Sequence, residues 1–289
     1  MASGWAGEAG WKAGEGQSMA YTLLSREQIL ALTHTWEGER FPDGRPRVPD
    51  DIVRRMKLVT TEEAWGVLRR EGYNFQFSGN WLNLHPDQTL VGRAVTCVFM
   101  PTRPDVQAAV AATGEAEGRI GGQNSWVIDT LVEGDCIVVD LFGKVKNGTF
   151  AGDNLGTSIH AKTKTGMVID GGIRDTQRIK EIEGFGVFVR GLDPTAIAEV
   201  TLMGINVPIR IGEATCLPGD VVLGTVTGVI FIPPHLAEQV VVRSEDIRLR
   251  DQFGHQRLRE GKYTPGQIDR KWSEAIEADF AEWKRERGA

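Results

Sequence analysis

The chain has 289 residues, of which 41% are hydrophobic and 25% charged, and its formal net charge is −6 at pH 7. This composition is typical of a globular protein with a sizeable core, and the acidic balance argues against a nucleic-acid or anionic-membrane partner. No apolar run approaches the roughly 18 residues that span a bilayer and no signal peptide is evident, so we expect a cytoplasmic protein. The cysteines lie in apolar runs without metal-ligand spacing, which indicates reduced core thiols: Cys97, Cys136 and Cys216.

The N-terminal part of the chain divides into a leader and a short extension. Residues 1–18 are rich in Gly and Ala without sustained periodicity, and we expect a disordered leader. In the N-terminal extension, residues 19–49, Ser25 is predicted to cap a short helix. In the amphipathic segment that follows, Thr60 or Thr61 is predicted to restart a helix.

Strands and helical segments alternate through the middle of the chain. Strands are predicted at 91–100, 136–140, 167–169, 187–190, 206–211, 221–223 and 229–232. Helices are predicted at 122–132 and 176–183. This alternation predicts an α/β core. Near the C-terminus, aromatic residues recur at roughly helical intervals, which predicts a helix packed on its own or a neighbouring subunit: Trp272, Phe280 and Trp283.

The segment from Gly152 to Asp175, GDNLGTSIHAKTKTGMVIDGGIRD, carries the clearest chemistry in the sequence. Its first four residues form a turn that opens a helix, where free backbone N–H groups and the helix macrodipole favour an anion. A short apolar strand then delivers Arg174 beside Asp175. The guanidinium is able to bind a carboxylate in bidentate fashion, and the aspartate is able to hold a hard divalent cation. Together these features predict a site for a small 2-oxo acid.

The run GDNLG and MVIDGGIRD, followed by VFVRG, NVPIRIG, PGDVV and GVIFIP, resembles the RraA-like superfamily. That superfamily includes 4-hydroxy-4-methyl-2-oxoglutarate and 4-carboxy-4-hydroxy-2-oxoadipate aldolases and the ribonuclease-regulating RraA proteins. The resemblance implies an α/β/βα sandwich of the swivelling-domain type with N- and C-terminal helical extensions, assembled as a homotrimer or homohexamer. On this basis we expect a catalytic core at residues 50–244 and a C-terminal helical extension at residues 245–289.

The aldolases of this family are class II enzymes that use Mg²⁺ or Mn²⁺ and form a pyruvate enolate. The resemblance implies that Asp175 is the metal ligand, partly through waters, and that Arg174 contacts the carboxylate of the substrate. It also implies that the backbone amides of the glycine-acid loop complete the substrate site: Gly152, Asp153, Asn154 and Leu155. Asp153 matches a residue near the metal-water shell, where it would help to position the base that takes the C4 hydroxyl proton.

The family site lies between subunits, and an acid from the C-terminal region of the neighbouring subunit approaches the metal. The acids in the corresponding region of this chain are Glu245, Asp246 and Asp251. Two features depart from the aldolase pattern. Arg178 stands where many aldolase members carry an acid, and the turn at 224–228 reads GTVTG instead of an acid-rich sequence. These departures bear on metal affinity and on the choice of substrate.

The site residues and the resemblance predict a metal-dependent carbon–carbon lyase. It would cleave a 4-hydroxy-2-oxo acid to pyruvate and a carbonyl product, with oxaloacetate decarboxylase activity as well. One alternative is a non-catalytic, RraA-like protein-binding scaffold. Another is a different metal-enolate reaction, such as hydration or tautomerisation of a sugar-derived oxo acid. Methyl transfer is disfavoured because the sequence has no strand–GxGxG–helix signature for an adenosyl cofactor.

Several of these residues also have a structural interpretation. Asp175 is able to cap a helix while Arg174 is solvated. Asp170 either braces the glycine loop or contacts the ligand. His160 is interpreted as an exposed or core residue, and Glu63 is a further candidate for approaching the site.

Overall fold

The computed structural model describes residues 19–288, so the predicted leader at 1–18 lies outside the described residues. In chain order the strands are β1 (Thr22–Leu23), β2 (Phe77–Ser78), β3 (Leu82–Asn83), β4 (Leu90–Pro101), β5 (Asp135–Ala151), β6 (Gly166–Ile173), β7 (Gly186–Leu192), β8 (Val200–Ile205), β9 (Ile209–Ile211), β10 (Ala214–Cys216), β11 (Val221–Thr225) and β12 (Gly228–Ile232). The helices are α1 (Arg26–Leu32), α2 (Asp50–Met56), α3 (Thr61–Arg70), α4 (Pro104–Ala116), α5 (Gln123–Asp129), α6 (Asp153–Thr163), α7 (Thr176–Ile179), α8 (Ala237–Arg259), α9 (Pro265–Ile268) and α10 (Glu274–Arg287), with a 3₁₀ turn at Pro234–Leu236.

Four parallel strands form the centre of the sheet, in the order β4, β5, β6 and β7. The hairpin of β11 and β12 continues the sheet beyond the first half of β4, while β8 pairs with its second half. The sheet therefore divides along β4, and its two parts enclose apolar side chains between them. Parallel strands buried on both faces require nearly continuous apolar runs, which explains the sequences CIVVD and GMVI.

Three apolar layers follow from this arrangement. Alternate residues of β5 face opposite sides, so Ile137 and Val139 contact the layer of α4 to α7 while Val138 faces the space between the two parts of the sheet. Helices α2, α3 and α8 cover the remaining face of the β11–β12 hairpin. The predicted α/β/βα sandwich with helical extensions is confirmed by this layering.

The C-terminal aromatic residues pack against other parts of the same chain. Phe253 on α8 is the centre of a separate apolar cluster formed with Trp272 and α10. Its other buried members are Ile276, Phe280 and Trp283. Helix α8 runs through residues 244 and 245, so the predicted boundary between core and extension falls inside one continuous helix.

Local signals in the sequence are confirmed at several places. Ser25 and Thr60 each form a capping box at the start of α1 and α3. All three cysteines are buried and free. No helix within residues 19–288 has the length and apolar character needed to cross a membrane.

Some predicted elements differ from the structure. Helix α4 was not anticipated, because its alanine-rich sequence buries only Val110 and Gly114 and therefore lacks a strong apolar stripe. Of the predicted strand at 206–211 only Ile209–Ile211 is extended, as β9, because the φ of 54° at Asn206 interrupts the backbone after β8 ends at Ile205. Helix α7 ends at Ile179, and β6 continues beyond 169 to Ile173.

Candidate active site

The glycine-acid loop and the Arg174–Asp175 pair meet at one edge of the sheet. Strand β5 ends at Ala151, immediately before α6, and the parallel strand β6 ends at Ile173. The backbone N–H of Arg174 donates to the Ala151 carbonyl at 3.1 Å, which ties the two strand ends together. Carboxyl ends of adjacent parallel strands are a common place for ligand sites in α/β folds.

Gly152 provides the close approach between the loop and the charged pair. A Cβ atom at this position would lie 2.4 Å from Asp175 Oδ2 and 3.2 Å from both Cγ and Nε of Arg174. The φ of Gly152 is −114°, a value open to any residue, so the constraint is the space taken by its neighbours. The backbone of the loop thus lies directly against both predicted functional side chains.

The Asp175 carboxylate is left available for a ligand by the backbone around it. Its φ and ψ of 52° and 35° place it in the left-handed region, which is uncommon for a residue other than glycine and is often found at functional sites. Its carbonyl accepts hydrogen bonds from the first turn of α7, but among the described residues its side chain does not cap that helix. The helix-capping interpretation of Asp175 therefore does not match the geometry.

Arg174 and Asp175 form only a loose pair with each other. Arg174 Nε lies 3.6 Å from Asp175 Oδ2, and the two side chains are 44% and 43% exposed. This separation exceeds that of a normal hydrogen bond. Both groups are therefore free to form shorter contacts with a ligand.

The first turn of α6 supplies the backbone N–H groups that were predicted to bind an anion. One of them is already hydrogen-bonded within the protein. Asp153 Oδ1 accepts the N–H of Asn154 at 2.8 Å, and the Gly156 N–H bonds the Gly152 carbonyl in the helical pattern. The N–H groups of Asp153 and Leu155 belong to the first turn and have no carbonyl four residues earlier within the helix. These two amides are the open donors of the loop.

Arg178 adds a second guanidinium to the site. It lies in α7, and its Nε is 3.7 Å from Asp153 Oδ2. Arg178 is 74% exposed and Asp153 is 34% exposed, so solvent screens the attraction between them. The position that departs from the aldolase pattern thus faces the acid of the loop.

A shallow cleft of about 350 Å³ lies beside the Arg174–Asp175 pair. Its opposite wall is formed by the last residue of β7 and the two residues after it, 192–194, and includes Asp193. Hydrogen bonds from the hydroxyl and N–H of Thr195 lower the pKa of Asp193. The sequence analysis missed this wall, although the end of a strand adjacent to β6 was the available signal.

The described residues do not form a complete metal cage. Between residues 19 and 288 there is no group of three or more His, Cys, Asp or Glu side chains placed to hold a metal ion. Mg²⁺ is commonly held by one or two carboxylates, with waters and substrate oxygens completing its coordination. The exposed Asp175 carboxylate fits the part of such a single ligand, and the remaining positions would belong to water, substrate or a neighbouring subunit.

The acids considered for the neighbouring subunit all lie on α8. Glu245 is bound by Arg55 through two hydrogen bonds of 2.8 and 2.7 Å. Asp246 lies 3.3 Å from Arg250, whereas Asp251 is exposed. A role for any of them in another subunit stays a prediction.

The remaining candidates lie outside the cluster. Glu63 completes the capping box of α3 and accepts a hydrogen bond from Ser244 at 2.6 Å, which places it in the α3–α8 layer. Asp170 is buried in β6 and paired with Arg190 at 2.6 Å. His160 packs 5.5 Å from the Phe185 ring, and burial, aided by Lys164, lowers its pKa.

Comparison with known proteins identifies the family. The family model described as RraA-like: Aldolase/RraA matches residues 67–231, which is more than half of the chain. The chain belongs to the RraA-like family. A relative from Halalkalibacterium halodurans, provisionally named a 4-hydroxy-4-methyl-2-oxoglutarate aldolase, is 32% identical over 134 residues, covering 45% of this chain and 63% of the relative. An uncharacterized protein of Methanocaldococcus jannaschii is 30% identical over 128 residues, covering 44% and 61%. The match thus spans less than two thirds of the length of each relative.

Solved structures share the fold of this RraA-like chain. An uncharacterized protein from Pseudomonas syringae superposes with a TM-score of 0.66 at 21% identity, covering 80% of this chain and 99% of that protein. RraAS2 of Streptomyces coelicolor, described as an unusual member of the RNase ES inhibitor RraA family, has a TM-score of 0.61 at 24% identity, covering 73% and 98%. At these identities the likeness concerns the fold alone.

Proposed function

We propose that this protein is a divalent-metal-dependent lyase that cleaves a 4-hydroxy-2-oxo acid to pyruvate and a carbonyl product. One observation carries the proposal: the loop backbone at Gly152 lies against the Asp175 carboxylate and the Arg174 side chain. A helix N-terminus, a guanidinium and an exposed carboxylate therefore converge at the end of β6. Membership of the RraA-like family and a relative provisionally named as an aldolase support the same reaction class.

Substrate binding would use the open donors of this site. Arg174 would bind the carboxylate next to the keto group, because its planar guanidinium matches a carboxylate in bidentate geometry. The free N–H groups of Asp153 and Leu155 at the start of α6 would bind a further oxygen of the substrate. These contacts fix the 2-oxo acid with its keto oxygen toward Asp175.

Asp175 would hold a Mg²⁺ or Mn²⁺ ion together with water and substrate oxygens. When bound, the cation supplies Lewis-acid stabilisation of the negative charge that develops on the keto oxygen. The left-handed backbone of Asp175 keeps its carboxylate against Gly152 without a capping bond, and so available for this role.

Asp153 would accept the proton of the substrate hydroxyl, directly or through a water. In the cleavage the C4 hydroxyl loses its proton, the C3–C4 bond breaks, and its electron pair forms the enolate of pyruvate, which then takes up a proton. Asp153 Oδ1 is fixed by the Asn154 N–H, which leaves Oδ2 to accept a proton directly or through one water. Oxaloacetate decarboxylation would use the same enolate and is expected as a further activity.

Arg178 favours a substrate with a second negative group. Its guanidinium lies on the Asp153 side of the site, 3.7 Å from that carboxylate, and is mostly exposed. A distal carboxylate on the substrate would draw Arg178 away from Asp153 and leave that acid free. We therefore expect dicarboxylic or tricarboxylic oxo acids to react better than substrates with an uncharged tail.

A regulatory scaffold is the second candidate function. It is favoured by Arg178, a cation 3.7 Å from Asp153 that stands where many aldolase members of the family carry an acid. In that case Arg174 and Asp175 would remain as an unused pair. Homotrimeric or hexameric assembly is compatible with both functions and is part of the proposal.

Pyruvate release tests the proposed function. Oxaloacetate and 4-hydroxy-4-methyl-2-oxoglutarate would be supplied with Mg²⁺, with Mn²⁺ and with EDTA. We expect release that requires the metal and that Asp175→Ala abolishes. Asp105→Ala is the matched control, because Asp105 also belongs to an exposed Arg–Asp pair at a helix start, 2.6 Å from Arg103. No release by the wild-type protein with either metal would favour the scaffold.

A further inference from the structure

Two buried aspartates, Asp135 and Asp220, occupy matching turns at the starts of β5 and β11. Asp135 Oδ2 accepts the N–H of Val132 at 2.9 Å, and Asp220 Oδ2 accepts the N–H of Leu217 at 2.8 Å. Each bond reaches three residues back along the chain. The two residues are only 0% and 3% exposed. The same local structure therefore buries a carboxyl group at both places.

The two carboxyl groups differ in their counter-ions. Asp135 is bound by Arg45 of the N-terminal extension, with Nη1 2.8 Å from Oδ1 and both side chains almost fully buried. Asp220 has no ion pair with any residue between 19 and 288. A buried carboxylate without a cation is strongly unfavourable, so Asp220 either stays protonated or finds a cation elsewhere.

A cavity of about 200 Å³ lies beside Asp220, which is one of its lining residues. It lies between the end of α1 and the turn before α8. Trp36 and Tyr73 contribute aromatic side chains to its lining. Aromatic faces and a carboxylate are the surroundings that proteins use for organic cations.

Two polar side chains of the lining, Gln76 and His235, have their hydrogen-bond donors engaged within the protein. The Gln76 amide nitrogen donates to two backbone carbonyls at 2.8 and 3.2 Å, which leaves its oxygen as the free polar atom. His235 uses both ring nitrogens, with Thr35 Oγ1 at 3.0 Å and with Tyr73 OH at 3.2 Å. A ligand that completes this site should therefore bring hydrogen-bond donors and positive charge.

We propose that this cavity binds a small organic cation of the guanidinium or primary-ammonium class, with Asp220 as its counter-ion. The cation would do for Asp220 what Arg45 does for Asp135. The site shares no residue with the Arg174–Asp175 cluster, and the proposal does not depend on the lyase activity.

Cation binding should strengthen as the pH rises through neutrality. Burial raises the pKa of Asp220 to about 7, and the hydrogen bond from Leu217 N–H opposes this. The carboxylate that attracts the cation therefore forms only toward higher pH. Burial lowers the pKa of His235, with His34 acting in the same direction and Glu71 against it, so this imidazole adds repulsion only in the acidic range. Both groups therefore make cation binding stronger as the pH rises.

Guanidinium and urea form a matched pair of probes, because they share a planar shape and differ in charge. Ligand-observed NMR at low millimolar concentration would follow each probe with the full chain at pH 6 and pH 8. We expect guanidinium to bind about tenfold more tightly at pH 8 than at pH 6, as follows from a pKa of about 7, and urea not to bind. Asp220→Asn, which keeps an oxygen for the Leu217 bond, should remove guanidinium binding.

Two further variants keep the test decisive. Asp175→Ala should leave guanidinium binding unchanged, which separates this cavity from the candidate active site. If Asp220→Asn does not fold, His235→Lys supplies an ammonium group beside the cavity and should block the probe. Equal binding of guanidinium and urea, no binding of guanidinium, or binding that survives both Asp220→Asn and His235→Lys would overturn the proposal.

Discussion

Two Arg–Asp pairs near the carboxyl ends of neighbouring strands use the same side chains in different ways. In the Arg190–Asp170 pair, Nε lies 2.6 Å from Oδ1, and the side chains are 18% and 12% exposed. In the Arg174–Asp175 pair the corresponding distance is 3.6 Å, and both side chains are more than 40% exposed. We call the first pair closed, because its charged groups are bonded to each other and mostly shielded from solvent. We call the second pair open, because its charged groups are separated and exposed.

The surroundings of Arg190 explain why its pair is closed. Its guanidinium also donates to the carbonyls of Gly79 and Asn80 and to Ser78 Oγ, and it lies 3.6 Å from the centre of the Trp81 ring. The protein itself accepts the hydrogen bonds of this guanidinium, so Arg190 holds the segment after β2 on the sheet. A ligand site needs the opposite, namely charged groups whose hydrogen bonds are not already made.

The closed pair should matter most for stability. Asp170→Ala leaves the largely buried Arg190, 18% exposed, without its counter-ion, and we expect a loss of about 3 kcal/mol in the free energy of unfolding. Chemical denaturation measures this loss. Asp175→Ala is the comparison and should change the stability by less than about 0.5 kcal/mol. Equal losses for the two variants would remove the distinction between the pairs.

The open pair should matter most for catalysis. Arg174→Ala removes the guanidinium that binds the substrate carboxylate, and we expect turnover to fall by ~10²–10³-fold. Steady-state kinetics of pyruvate release with Mg²⁺ measures the effect. Arg103→Ala, at another exposed Arg–Asp pair that lies at a helix start, should retain wild-type turnover. A similar loss in both variants would show that the effect is not specific to the site.

The contact between loop and pair can be tested at a single glycine. In Gly152→Ala the new methyl group would meet Asp175 Oδ2 at 2.4 Å, so the carboxylate has to move. Misplacement of such a group by about 1 Å costs roughly 10²-fold in rate. Gly156→Ala is the control, because its Cβ has its nearest contacts at 3.4 and 3.5 Å. Full activity of Gly152→Ala would separate the loop from catalysis.

Arg178 should have the smallest effect. Arg178→Glu removes the guanidinium beside Asp153 and restores an acid at that position, so we expect Mg²⁺ affinity to rise about two- to fivefold, as for one exposed charge contact. Titration of Mg²⁺ against activity measures it. Arg178→Gln, which removes the charge alone, should lie between the two. Unchanged affinity in both variants would mean that Arg178 does not act on the metal site.

The sequence was most informative where the signal is local. Three features depend on neighbouring residues, and the structure has the predicted elements at each: the capping residues Ser25 and Thr60, the apolar runs of the parallel strands, and the loop–helix–strand segment at 152–175. The candidate site residues were predicted from the same local motif together with the family resemblance, and their roles stay predictions.

Features that depend on tertiary contacts were not predictable. The partner of Asp170 lies 20 residues away in another strand, and the wall at 192–194 joins the cleft only because β7 lies beside β6. The Asp153 carboxylate accepts a hydrogen bond from the Asn154 N–H, and the sequence does not determine this contact. Helix α4 could not be predicted either, because its sequence is only weakly amphipathic and its packing in the folded protein decides its structure.

Oxalate binding is the most direct measurement of the central claim, because oxalate resembles the enolate of pyruvate and requires no turnover. Isothermal titration calorimetry would compare the wild-type protein with Asp175→Ala and Asp105→Ala, each with and without Mg²⁺. The proposed site predicts Mg²⁺-dependent binding that is lost in Asp175→Ala and kept in Asp105→Ala. Oxalate binding that persists in Asp175→Ala, or that ignores Mg²⁺, would contradict it.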